Sequence, residues 1–285
     1  MPINQQLRHP KESLYRSVCM LIGGLIWLSL GIFVLPFLIP LAILLWISEK
    51  FFQATIFGNA VHVNEDQYAN INAIVNDVAQ QLGVNNIPRV FILNSDGISN
   101  ALAIKFLSGK YILLFSSLVD LLWEDDKHQD KIRMIIAHEL AHYAAGHMNL
   151  WISLLIKPAM FVPFLGAAYS RACELTADRV AADCVKNQKA AVDAMITLAS
   201  GSRALLPQTN KEAFIKQELL VPGFFGFLQE ILSTHPRMTK RIIAIDSFYA
   251  NSLSTTHGST RSTISQPAYN QAELSDNMVT NVQNS

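Results

Sequence analysis

His138, Glu139 and His142 stand in the order H-E-x-x-H within the stretch IIAHELAHYAAGH. On a helix, side chains four apart share a face, with Cβ atoms about 6 Å apart. Two imidazoles at that spacing can reach one zinc ion at about 2.1 Å. Glu139 falls beside the pair, where it can take a proton from a metal-activated water attacking a carbonyl. The stretch is apolar on both sides of the motif, so the histidines are expected to be buried, and buried imidazoles need partners. The spacing alone can arise by chance; a metal supplies the partner that burial demands.

A catalytic zinc needs a third protein ligand and an open position. Downstream, Glu174 and Asp178 also stand at i and i+4, among Ala, Cys, Leu and Val. Glu174 is the expected third ligand, with Asp178 orienting a ligand histidine or donating a proton late in a reaction. An ordinary exposed helix face is the competing reading. Cys173 points about 100° away from Glu174 on a helix and reads as core packing. His147 is five residues past His142, so packing or capping is expected of it. His235, followed by Arg237 and Arg241, could stabilise an oxyanion near a zinc site or simply pack a loop. His9, His62 and His128 have no companion motif and read as structural or solvated; His257 reads as inert.

These residues need helices to present them. Apolar spacing and the punctuating residues predict helices over 64–82, 116–122, 130–147, 171–187 and 189–206, with strands at 89–93, 101–106 and 111–115. Asn64 reads as the N-cap of the first helix, and Ser116 and Ser117 as caps of the second. Glu124 to Lys131 reads as a solvated charged turn or a first helical turn rather than a metal site. The fold class expected is mainly α with a small β-sheet, α+β.

The 285 residues carry 22 basic and 22 acidic side chains, and only 15% are charged. Soluble chains average roughly 25%, so the deficit argues against a simple soluble globule. The absence of basic excess removes the electrostatic footprint of a nucleic-acid binder. Three cysteines make no disulfide framework.

The apolar excess is concentrated at 17–48, which contains no charge. As one helix it would span about 48 Å against a hydrocarbon core of about 30 Å. Pro36 and Pro40 suggest a hairpin bent at LPFLIP, with a strongly tilted single span as the alternative. The run is too long for a cleavable leader. Arg8, Lys11 and Arg16 ahead of it place the N-terminus in the cytoplasm, and a hairpin would return the main domain there. The expected organisation is a basic arm at 1–16, a membrane segment at 17–52, a catalytic domain at 53–250 and a disordered polar tail at 251–285. A second apolar block at 148–170, interrupted by Pro158 and Pro163, fits either a buried hairpin or helices dipping into the bilayer.

Three blocks, HELAHYAAGH at 138–147, ELTAD at 174–178 and THPRMTKRI at 234–242, resemble the membrane-associated zinc metallopeptidases that include HtpX and the CaaX prenyl proteases. The resemblance covers roughly 59–246. It implies one zinc on His138, His142 and Glu174, Glu139 as base, and Asp178 as the carboxylate behind a ligand. It also implies a zincin-like helical core with a small sheet above the zinc helix. Asn100-Ala101 is similar to the segment where family members pair a substrate strand with a sheet edge, so a polypeptide laid out near Asn100 is the expected partner, together with the lipid bilayer. The chain lacks the many spans of the prenyl proteases, which favours the smaller HtpX-like branch. The expectation is an integral membrane endopeptidase of a bacterial inner membrane with its site facing the cytoplasm. An inactive zinc-containing membrane adaptor and a soluble secreted protease are the other classes.

Overall fold

The computed structural model describes residues 3–94, 101–105, 109–124 and 129–257. Its architecture is α+β: mostly helical, with one four-stranded sheet. Asn100 and His128 lie outside the described residues, as does 258–285.

The sheet takes β1 (Val61–His62), β2 (Arg89–Leu93), β3 (Ala101–Lys105) and β4 (Lys110–Phe115) in the order β1-β2-β4-β3. β2 and β4 pair in parallel, with Val90 opposite Ile112 and Ile92 opposite Leu114; the outer pairs are antiparallel. Both faces are covered, which explains why RVFIL and YILLF are continuous apolar runs. Val90, Ile112 and Leu114 join the main core, while Phe91, Tyr111 and Leu113 pack with Ile56 on the other side.

The main core is built around α4 (Asp130–Ala144), whose residues from Met134 to Ala141 are all buried. It is flanked by α2 (Ala69–Gln81), α6 (Leu165–Val185) and α7 (Gln188–Ser200). The helix expected from Asn64 starts at Ala69 instead. Asn64 accepts from the backbone N–H of Asp66 and Gln67, capping a turn, and Tyr68 follows with φ of 59°. α3 (Ser116–Leu122) takes Phe115 as its N-cap residue, so Ser116 and Ser117 fall inside its first turn.

α1 (Pro10–Asn59) remains helical through Pro36 and Pro40 rather than parting into two helices joined by a loop. Its most apolar stretch is unburied, and it alone among the described residues is long and apolar enough to cross a membrane. Both ends nevertheless dock on one domain. Near the start, Glu12 accepts from the Thr176 hydroxyl at 2.6 Å. Near the end, Phe52 meets the Tyr111 ring at 5.4 Å and Gln53 donates to the Tyr111 hydroxyl. A straight helix would separate Glu12 from Phe52 by about 60 Å. Yet Glu12 approaches His147, one turn from Tyr143, whose hydroxyl donates to the Tyr111 carbonyl. Three side-chain contacts and one helical turn do not reach that far, so α1 bends. The two prolines, each lacking an N–H and crowding the preceding turn, are the physical cause available for it.

The 148–170 block forms α5 (Leu150–Ile156), a 3₁₀ turn at Pro158–Phe161 and the start of α6. It packs on α1 through Cys19, Ile156, Ala159 and Tyr169, while Trp151 and Phe161 stay exposed. A Cβ on Gly23 would stand 2.2 Å from the Leu155 carbonyl oxygen. Gly23→Val should therefore push α1 off α5 and cost about 1–3 kcal/mol. A melting temperature in detergent equal to wild type would show that this contact is not made.

Beyond α7 come α8 (Lys211–Lys216), α9 (Gly223–Leu232) and α10 (Met238–His257). α9 exposes Phe224, Phe225 and Phe227. α10 continues to His257, so 251–257 is helical where a disordered tail was expected.

Candidate metal centre

α4 and α6 cross so that their motif residues meet. His138 and His142 approach each other Nε2 to Nε2 at 3.3 Å. Each Nε2 also lies 3.5 Å from an oxygen of Glu174. The two 3.5 Å approaches use different oxygens of Glu174, Oε2 toward His138 and Oε1 toward His142, and one donor atom from each residue lies within 4.8 Å of the others. Tetrahedral zinc ligands at about 2.1 Å stand about 3.4 Å apart, a spacing that each pair of residues meets at its nearest atoms. This spacing is the test of fit, and His138, His142 and Glu174 meet it.

The other ring nitrogen of His138 faces Asp178 at 3.0 Å. Asp178 is fully buried and accepts two hydrogen bonds from Arg241, at 2.8 and 2.6 Å. With Nδ1–H donating to this carboxylate, the Nε2 lone pair of His138 is turned toward Glu174 and His142.

The charges fit the same picture. Burial disfavours charged His138, but the Asp178 and Glu174 carboxylates outweigh it and raise its pKa to about 10. Burial, and then the neighbouring His138, push His142 down to about 3. Glu174, despite burial, is held down at about 2 by His138. Asp178, despite burial, is held well below the usual carboxylate range by Arg241. The two carboxylates thus hold a single positive charge at His138 beside a neutral His142, the charge that a cation among the same donors would replace.

Glu139 is buried on α4 next to His138, and its charge is felt by Arg241 and Tyr143. His235 lies at the rim, with its side chain 67% exposed and Nε2 3.9 Å from Glu174. Arg237 turns away from the site to pair with Glu218. Arg241, one turn on, is the arginine that reaches inward. Its role was not apparent in the sequence, where Arg237 and Arg241 are equivalent candidates.

His147 also differs from the sequence reading. α4 ends in a turn where Gly146 has φ of +80°, the N–H of Gly146 bonds to Tyr143 and that of His147 to His142. A glycine in this left-handed position is the usual way to close a helix. It folds His147 back so that its Nδ1 lies 2.9 Å from Nδ1 of His142. All three cysteines are buried and free. Burial pushes the Cys173 thiol up to about 12, consistent with a packing role.

No match to this chain is found among curated proteins. The family model described as peptidase family M48 matches residues 65–167 and 149–248, a span that contains α4, α6 and the start of α10. With most of the chain covered, it belongs to peptidase family M48, a family of metallopeptidases.

Proposed function

We propose that the chain is an HtpX-like, membrane-anchored zinc endopeptidase. The observation that carries this reading is the convergence of His138 Nε2, His142 Nε2 and the Glu174 carboxylate, each pair 3.3–3.5 Å apart at its nearest atoms, with Glu139 beside them on α4. The chemistry supplied by a bound zinc is Lewis acidity toward the scissile carbonyl and the attacking water. Glu139 accepts the water's proton as its oxygen attacks the carbonyl carbon, then delivers that proton to the amine nitrogen as the C–N bond breaks. Asp178 keeps the His138 ring oriented, and Arg241 keeps Asp178 ionised. His235, at the mouth, is placed to donate to the oxyanion. The polypeptide lies along β3, one of the two edge strands of the sheet and the one that packs beside α4; the substrate is an unfolded or membrane-protein segment.

The anchor is α1, inserted as a bent helix. The Arg8 guanidinium donates to the Ala145 carbonyl at 2.7 Å, so the basic arm and the metal centre share one side of the membrane. Basic flanks favour the cytoplasm, which supports a cytoplasm-facing site in a bacterial inner membrane.

The full chain in detergent should cleave an unfolded protein substrate, lose that activity to a chelator and regain it with zinc. Zinc binding without hydrolysis would favour the adaptor reading instead. For topology, single cysteines at Gln6 and Glu65, in a background with the native three replaced, should both react with an impermeant maleimide only after the cells are opened. Labelling of Glu65→Cys from outside intact cells, with Gln6→Cys protected, would overturn the bent insertion.

A further inference from the structure

His138 has a carboxylate behind it; the sequence motif offers none for His142. Glu12, the acidic residue of the basic arm, is fully buried against α6 and the turn that follows α4. It pairs with Arg8 and accepts from Thr176. Its Oε1 lies 3.4 Å from Nε2 of His147, and the opposite nitrogen of that ring lies 2.9 Å from His142. The approach to Glu12 is too poorly aligned to count as a hydrogen bond, and Nε2 of His147 is a buried nitrogen with no other partner. With its side chain 6% exposed, His147 has little access to water.

We infer that Glu12 and His147 form a relay that positions His142, so that the arm ahead of the membrane helix is part of the metal centre. This rests on the zinc reading above. The proton positions follow from that reading. If Nε2 of His142 faces the metal, its Nδ1 carries a hydrogen and donates to Nδ1 of His147. His147 must then carry its own hydrogen on Nε2, directed at the Glu12 carboxylate. Donor then faces acceptor at both steps of the line, at 2.9 Å from His142 to His147 and at a longer, angled 3.4 Å from His147 to Glu12, and only this tautomer of each ring allows it. The two zinc histidines thus receive carboxylate support in different ways: His138 directly from Asp178, His142 through a second imidazole from Glu12. Both are positioning residues, since neither touches the three converging donors. Gly146 matters to the relay because its turn brings His147 under His142.

Glu12, His147 and Cys173 also lie close enough to share an ion. A second metal is the weaker use of this cluster, because Glu12 is already engaged by Arg8 and by the Thr176 hydroxyl.

The test compares zinc affinity, by chelator competition, and the visible spectrum of the cobalt-loaded protein across variants of the full chain. Glu12→Gln and His147→Gln should each weaken zinc by about 10- to 100-fold and shift the cobalt bands. The double variant should be no worse than His147→Gln alone, because both act through one line. Val192→Ala, buried on α7, should lower the melting temperature without changing either readout. Should the glutamine variant fail to fold, Glu12→Asp keeps the charge for Arg8 while drawing the oxygen back from His147, and should show the same loss. Affinity and spectrum equal to wild type in Glu12→Asp or Glu12→Gln would overturn the relay, as would additive losses in the double variant. A wild-type chain that binds no zinc would instead overturn the zinc reading itself.

Discussion

Glu139→Gln is expected to lower peptide hydrolysis by about 10²- to 10⁴-fold, the range for loss of a positioned general base, with zinc content unchanged. The amide preserves the volume of a buried side chain, so the packing of α4 should survive. It lacks the capacity to accept a proton from water. The three donors that converge at 3.3–3.5 Å are those of His138, His142 and Glu174, so the metal loses nothing. Glu174→Gln provides the contrast. It replaces the anionic donor among these three and should release zinc and activity together. Measuring metal content and turnover on both variants separates base from ligand. Substantial hydrolysis by Glu139→Gln would sink the mechanism; loss of zinc from it would make Glu139 a ligand.

The parts of this site legible in the sequence are those set by the repeat of a single helix. His138 with His142, and Glu174 with Asp178, are each one turn apart on α4 and α6, and the apolar residues around them announce burial. Contacts between elements were less accessible. Arg237 and Arg241 lie one turn apart on a loop and helix of similar chemistry; only the packing of α10 on α6 decides that Arg241 meets Asp178. The five-residue step from His142 to His147 leads helical periodicity to expect only packing or capping. The clue was Gly146, whose positive φ ends the periodicity one residue earlier. Beyond its pairing with Arg8 one turn earlier, Glu12 carried no local signal, because His147 and Thr176 lie more than 130 residues away. The fold shows the same division. Alternation in RVFIL and YILLF was hidden because both sheet faces are covered, and α9 gathers Phe224, Phe225, Phe227, Leu228 and Leu232 on one face that helical periodicity marks for burial and the structure leaves exposed.

Asp178→Asn is expected to reduce both stability and zinc affinity, for separable reasons. The asparagine leaves the Arg241 guanidinium buried without its counter-charge, and breaking such a pair costs about 3–5 kcal/mol. It also removes the carboxylate that accepts from His138, which should weaken zinc by about 10- to 100-fold. The pH dependence follows from the sign of the Asp178 shift. Its folded-state pKa lies below the ordinary 3.8, so the unfolded chain takes up the proton first. The pair's contribution is therefore complete above the unfolded value and is lost as pH falls through the folded one. Chemical denaturation followed from neutral to acid pH should show a steeper decline in wild type than in Asp178→Asn. Removing both partners, in Asp178→Asn with Arg241→Met, should recover much of the stability, because no unpaired charge stays buried. It should recover little of the zinc affinity, because His138 still lacks its anionic acceptor. A double variant that regained both would mean that Asp178 serves the packing of α6 against α10 and has no bearing on the metal.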